Sequence, residues 1–498
     1  MVSSVEPSYE ELAQLVVALT ARLGQADAQI AALTAEVAAL RAQRGKDSTN
    51  SSIPPSADSI AAKARRKIAR SQRVRSKDRK PGGQPGHSGS GLVPTQDPDR
   101  TEYLDPAAEC AGCGADLAVD GVDAQATWAQ VWDTLPVVWE KVHYVLGRRR
   151  CRCCGKLATP VPPFGQAGAV TYGPAINAAA VLLSSQGNVP VEATAAMMDA
   201  LLDAPVSAGF VARAHQRLAD TLDTAGFDTA MTTALRAEDV LCGDESPVNV
   251  VSNVDPEGQP ADGSPQVVTI RTPDERLVWF TAMTSRSAAS IQGLGVLDGW
   301  RGVLVRDDYA GWYQFDGKLG GVQQCCSHLL RYLHGVAALD DDQQWATQVA
   351  DALRDAARLL DRAAAAGTPP DADALAKTRW RYDQGVAVGI STNLSRPWHK
   401  GNHPGLVLAR RLKAKAEQVW LFTTDPKIPW TNNAAEQALR GPKRHQAVSG
   451  YWQTTITLSR YCRVRSYLVS ARNHGLRAID AIRAALAGKP WQPVPVTA

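Results

Sequence analysis

Three acidic positions stand out because of what surrounds them. The run Leu241-Cys-Gly-Asp-Glu-Ser-Pro-Val-Asn-Val250 is apolar at both ends and carries Asp244 and Glu245 in its middle. A carboxylate in a strand-like core segment needs a cation or hydrogen bonds to offset its lost hydration. A second apolar run, Val303-Leu-Val-Arg306, ends on Asp307 and Asp308, and Thr431-Asn-Asn-Ala-Ala-Glu436 opens a helix with an acid one turn in. Carboxylates gathered by folding repel one another unless divalent cations lie between them, which is how phosphoryl-transfer sites are built. Two choices stay open at this level. Neighbouring residues of a strand point to opposite sides, so Asp244 competes with Glu245 and Asp307 with Asp308. Asn432 or Asn433 is placed to cap the helix and so to hold Glu436 in its first turn, facing a sheet.

A second chemistry lies in the thiols. Five of the nine cysteines fall between residues 110 and 154, as Cys110-Ala-Gly-Cys113 and Cys151-Arg-Cys-Cys154. Two C-x-x-C knuckles supply the four thiolates of a structural Zn²⁺ site, with Cys110, Cys113, Cys151 and Cys154 as the expected ligands. Cys153 is the alternative to Cys154 and ranks second because Cys151 and Cys153 make a rarer one-residue knuckle. Clustering of this kind fits metal ligation in a reducing compartment better than a disulfide framework. Arg148, Arg149 and Arg150 make the second knuckle cationic.

The elements that must position these groups read off the periodicity. From Leu12 the series Val16, Leu19, Leu23, Ala26, Ile30, Leu33, Val37, Leu40 steps by four and three, a seam of about four heptads that predicts a coiled coil and self-association. Residues 45–100 are rich in Pro and Gly and read as a linker. Within it, Lys63 to Lys80 holds ten Lys or Arg against one acid, Asp78. Arg65, Arg66, Lys67, Arg70, Arg73 and Arg75 of that block are expected to bind the DNA backbone by counterion release. Residues 101–165 form the zinc-binding segment, and 166–237 read as a helical domain. From 239 the pattern predicts strands over 241–251, 266–271, 277–283, 302–307 and 322–326. Helices are predicted over 287–297 and 327–339. Three strands, helix, strand, helix, strand, helix is the order of a ribonuclease H-like α/β domain. It spans 238–339 and 426–450, interrupted by a helical insertion over 340–425 and followed by a C-terminal helical region, 451–498.

Bulk properties narrow the class. The chain has 498 residues, 44% hydrophobic and 21% charged, with a net charge of only +4. Length predicts several domains, and the bunching of the basic residues says more about partners than their sum. No apolar run reaches the roughly 18–20 residues of a membrane span, and the acidic, heptad-patterned start is unlike a signal peptide. A cytoplasmic, nucleoid-associated protein without membrane partners is expected.

Several motifs occur in a fixed order. They are Asn50-Ser-Ser-Ile-Pro-Pro-Ser56, Gly82-Gly-Gln-Pro-Gly-His87, the two knuckles, Gly243-Asp-Glu-Ser-Pro-Val248, Asp307-Asp-Tyr-Ala-Gly311 and Asn432-Asn-Ala-Ala-Glu-Gln-Ala-Leu-Arg440. Together they resemble the insertion sequence 66-type transposases of bacteria, over nearly the whole chain. The resemblance implies a DDE transposase that cuts and joins DNA at the ends of a mobile element with Mg²⁺ or Mn²⁺. Carried over by motif, the three acids fall on Asp244, Asp307 and Glu436. Asn433 and Arg440 flank the third acid, Lys443 and Arg444 continue the basic run, and His328 with Arg331 matches a family His-x-x-Arg. With Asn432, these polar groups are expected to orient acids or touch phosphate. The resemblance also implies DNA as partner, in element ends and target, and small accessory proteins of the same element. Two rival functions share most of these features: a catalytically inactive or regulatory DNA-binding protein, and a metal-dependent nuclease that cuts without joining.

Overall fold

The computed structural model describes residues 94–104, 107–117, 129–131, 138–163 and 169–495, and a few positions of the N-terminal segment (10, 14, 20, 22–25 and 29) that are helical. The heptad seam as a whole, the linker motifs to residue 93 and the basic block with Arg65, Arg66, Lys67, Arg70, Arg73 and Arg75 lie outside the described residues. Residues 60–143 form one compact unit and residues 144–498 belong to another. Within the first, the side-chain amide of Gln130 brackets the backbone of Thr95, donating to its carbonyl and accepting from its N–H.

In the second unit a short antiparallel pair comes first, β1 (Arg149–Arg150) with β2 (Leu157–Ala158). Four helices follow, α1 (Pro174–Val181), α2 (Val191–Leu202), α3 (Ala208–Thr224) and α4 (Phe227–Arg236). Ser207 caps α3 by accepting the Phe210 N–H, as a short hydroxyl side chain at that position should.

The centre of the fold is a five-stranded mixed sheet. Its strands are β3 (Val240–Pro247), β5 (Gln266–Arg271), β6 (Val278–Met283), β7 (Val303–Arg306) and β8 (Gly321–Gln324), in the order β6-β5-β3-β7-β8. β3, β5 and β6 are antiparallel neighbours, whereas β7 and β8 run parallel to β3. β5 is buried at all six positions, the signature of a strand covered on both faces. The expected long strand over 241–251 is in fact two. Pro247 ends β3, because proline has no N–H for the ladder. Residues Val250–Ser252 (β4) leave the sheet to pair in parallel with β9 (Trp452–Thr454). The helix expected over 287–297 is shorter than its pattern: α5 (Ala288–Gln292) stops where Gly293 follows and Gly295 takes a left-handed φ of 71°.

Side-chain alternation assigns the two faces. On one lie Leu241, Gly243 and Glu245, against Trp312. A Cβ on Gly243 would meet Ile270 and Leu304 as well as Trp312 at 3.2–3.4 Å, so glycine lets the indole lie on the strand. The opposite face carries Val240, Cys242 and Asp244. It is covered by α6 (Cys326–Ala337), by the insertion helices α7 (Gln344–Ala366), α8 (Ala372–Asn393), α9 (Pro404–Ala414) and α10 (Ala416–Trp420), and by α11 (Asn433–Ser449). Trp345 at the heart of the insertion packs on Gly389, where any side chain would overlap its ring.

The last long helix, α12 (Thr455–Asn473), lies along β6. Ser466 and Ser470 accept the Phe280 and Val278 N–H groups at 2.7 and 3.0 Å, closing backbone bonds that an edge strand leaves open. The C-terminal stretch is thereby built into the sheet, and α13 (Ala478–Leu486) packs beside it on the helical domain. No helix among the described residues is long and apolar enough to cross a membrane.

Candidate active site

Register brings two of the acids together. Cys242 of β3 faces Val305 of β7 in parallel, and two residues further along both strands come Asp244 and Asp307. Parallel pairing with a side-chain period of two therefore puts them side by side, on the face that α11 covers. Each carboxylate is fixed locally at Oδ1: Asp244 by the Glu245 N–H at 3.0 Å and Asp307 by the Tyr309 N–H at 2.9 Å. Burial first, and then the negative charges of Glu245, Asp307 and Glu436, hold the Asp244 carboxyl well above the usual carboxylate range. That shift expresses burial first and the nearness of the other acids second.

The neighbouring acids are otherwise employed. Glu245 points to the other face, where it is shut from solvent, paired to Arg286 at 2.5 Å and bonded by the Trp312 indole N–H at 2.8 Å. Asp308 is held by Arg411 at 2.7 Å and Lys415 at 3.0 Å and accepts the Tyr313 hydroxyl at 2.7 Å. These cations outweigh its burial and lower its pKa. Both residues serve as buried ion pairs within the body of the domain.

Glu436 stands in the first turn of α11, whose start is fastened at four points. Asn432 is fully buried, and its Nδ2 donates to the Gly243 carbonyl at 2.7 Å, one residue from Asp244. Its backbone N–H donates to Cys325 Sγ at 3.1 Å, and the Ser327 hydroxyl donates to Asn433 Oδ1 at 2.9 Å. Arg271, the β5 residue facing Cys242, reaches across to donate to the Ala434 carbonyl at 3.0 Å. The expected side-chain cap is absent. Asn432 occupies the cap position with helical-side backbone angles, and its amide is spent on the sheet while no cap bond forms. Cross-linking of α11 to β3 thus replaces capping as the device that sets Glu436.

His328 lies on α6, one turn from its start, with Nδ1 3.5 Å from Glu436 Oε1. Neither atom has a hydrogen-bond partner. Burial outweighs the neighbouring acids and keeps the His328 pKa below its ordinary value. Cys325 Sγ, a His328 nitrogen and a Glu436 oxygen all lie within 4.8 Å of one another. Cys325 and Arg271 were not singled out from sequence; the signal for the first was the Cys-x-x-His spacing of Cys325 and His328.

Arg331, Arg440 and Arg444 are exposed, with Arg440 one turn beyond Glu436 on the same helix. Lys443 is half-buried and donates to the Pro247 carbonyl, so its ammonium closes the end of β3. Arg148, Arg149 and Arg150 are exposed at the second knuckle.

The two knuckles share one local design. Gly114 and Gly155, each with φ near 70°, follow Cys113 and Cys154 and donate back to the carbonyls of Cys110 and Cys151 at 2.8 and 3.0 Å. In the second knuckle Cys154 supplies the thiol contact to Cys151. Backbone N–H groups lower the pKa of Cys110 and of Cys151. The two turns thus share a backbone design that sets a pair of thiols on one loop.

Half-buried acids at neighbouring strand ends, a third on a helix pinned beside them and arginines on the outer surface suit an enzyme that handles a polyanionic backbone. Residues 169–458, which carry all three acids, match the family model described as "Transposase IS66 family", which defines the class as transposases, DNA-processing enzymes. The match covers more than half of the chain, and the protein belongs to the IS66 transposase family. Residues 3–92 match a family of unknown function, DUF6444. No curated protein sequence matches the chain.

Proposed function

We propose that the protein is a DDE transposase, with a ribonuclease H-like catalytic domain, that cleaves DNA at the ends of an insertion sequence and joins them to a target. The observation that carries this reading is the parallel register that sets Asp244 beside Asp307, with Glu436 entering on the helix whose start is bonded to β3 next to Asp244. Three hard oxygen donors from Asp244, Asp307 and Glu436 suit Mg²⁺ or Mn²⁺. Bound there, two such ions would activate a water or 3′-hydroxyl and stabilise the leaving oxygen.

The chain's own residues do the positioning. Asp244 and Asp307 hold one side of the scissile phosphate from adjacent strands, and α11 closes the other with Glu436. Asn432 and Arg271 keep α11 at its distance from β3. Arg440 and Arg444 meet the phosphates that flank the cut, with Arg331 and the arginines 148–150 further along the DNA. The block of Arg65, Arg66, Lys67, Arg70, Arg73 and Arg75 adds sequence-independent affinity. Zn²⁺ at Cys110, Cys113, Cys151 and Cys154 would brace the segment ahead of the helical domain, and the N-terminal heptads would pair two copies.

The test is incubation of the full-length protein and Mg²⁺ with labelled DNA that carries the element's ends. Products in which a labelled end is covalently joined to target DNA support the proposal. Nicks alone would reduce it to a nuclease, and intact DNA bound by the protein would leave a DNA-binding protein without catalysis.

A further inference from the structure

The sulfur of Cys325 sits at a place where a hard-cation site has no use for it. Cys325 occupies the cap position of α6, so its side chain stays at the mouth of the helix. The Asn432 N–H donates to Sγ at 3.1 Å, and the N–H groups of Ser327 and His328 also bond it. Such donors favour a thiolate, yet burial dominates and pushes the thiol up to about 11.

Across from it, the imidazole of His328 presents Nδ1, and Glu436 presents Oε1; both atoms are buried without a partner. One sulfur, one nitrogen and one carboxylate oxygen within 4.8 Å of one another make a borderline-soft donor set. Mg²⁺ demands an octahedron of oxygens and gains little from sulfur. Zn²⁺ takes this combination in a tetrahedron with water as fourth ligand, and a contraction on the order of 1 Å would bring the three donors to Zn²⁺ bond lengths.

We propose that Cys325, His328 and Glu436 form a second cation site, selective for Zn²⁺-class ions. When filled, it draws Glu436 away from Asp244 and Asp307 and holds the enzyme inactive. The inhibitory half rests on the reading of Glu436 as the third catalytic acid; the binding half does not. On binding, the Cys325 thiol loses its proton to solvent, the sulfur donates a lone pair to the cation, and no electron changes hands.

The experiment compares the full-length protein with Cys325→Ser, which keeps an acceptor for the Asn432 N–H, and with His328→Asn. Both variants retain the knuckle cysteines, so those thiols cancel in the difference. With Co²⁺ as the probe, wild type is expected to bind one equivalent more than either variant. The difference spectrum should show a thiolate-to-cobalt charge-transfer band that is missing from Cys325→Ser. In the second arm DNA cleavage in Mg²⁺ is followed as free Zn²⁺ rises. At roughly ten times the dissociation constant from competition against the Co²⁺ signal, wild type loses about tenfold in rate and Cys325→Ser keeps its rate. Equal Co²⁺ stoichiometry and no difference band in all three proteins would overturn the site while leaving the transposase reading intact. Inhibition by Zn²⁺ that is the same in wild type and Cys325→Ser would overturn the inhibitory half. The difference band in a protein that cuts no DNA would uphold the cation site and strike down the function reading instead.

Discussion

Acid should loosen the seam that joins the helical domain to α11. His215 on α3 and His445 on α11 flank Tyr461 of α12, with ring centroids 6.5 and 4.6 Å from it, and His445 also stacks on Trp452 at 5.1 Å. His215 Nε2, His445 Nδ1 and the Tyr461 hydroxyl have no hydrogen-bond partner. Burial, followed by the charges of His445 and Arg460, pushes His215 from 6.5 down to about 4. Burial, followed by Arg465, does the same to His445. A depressed folded-state pKa means that the unfolded chain takes up these protons first. The stability tied to each ring is complete above pH 6.5 and drains away as pH falls through 4. At pH 5 the linkage relation gives about 2 kcal/mol per histidine, so roughly 4 kcal/mol for the pair. Urea or thermal unfolding at pH 7.5 and pH 5 would measure it, for wild type, His215→Phe and His445→Phe. Phenylalanine keeps the stacking and cannot titrate, so each variant should recover about 1–2 kcal/mol of the acid loss. If both variants lost stability between those pH values as steeply as wild type, the reasoning would be refuted.

Other outcomes follow from the same geometry. Asn432→Ala removes the bond to the Gly243 carbonyl in a fully buried place, which should cost about 1–3 kcal/mol and slow cleavage more than it weakens DNA binding. Asp244→Asn should raise the melting temperature of metal-free protein at neutral pH. A carboxyl whose folded pKa lies above its unfolded value works against folding once ionised, so neutralising it relieves the crowding while ending catalysis. Arg286→Ala strands the buried Glu245 carboxylate. Because half of the Arg286 side chain faces solvent, the loss should be roughly 2 kcal/mol by chemical denaturation, below the range for fully buried pairs.

Much of the scaffold was legible in the sequence wherever one face or both faces of an element are buried. The strand over 266–271 matches its pattern end to end, because a β-branched run covered on both faces records burial directly. Pairing could not be read. Whether Asp244 or Glu245 turns toward α11 depends on which face of β3 the helices cover, and that is fixed by contacts with distant chain. The division of 241–251 at Pro247 and the use of Asn432 as a cross-link have the same origin: a local preference overridden by a partner far along the sequence. Cys325 escaped notice because its spacing to His328 gains meaning only when Glu436 is brought beside both.

The most direct test of a single phosphoryl-transfer centre is the single-turnover cleavage rate on DNA carrying the element's ends. It would be measured for Asp244→Asn, Asp307→Asn, Glu436→Gln and their pairwise combinations, alongside DNA affinity. Residues that act as one unit are non-additive: each single change should lower the rate at least about a thousandfold, the double changes should lower it little further, and affinity should hold. A rate near that of wild type in any one of the three single variants, with DNA still bound, would contradict the assignment.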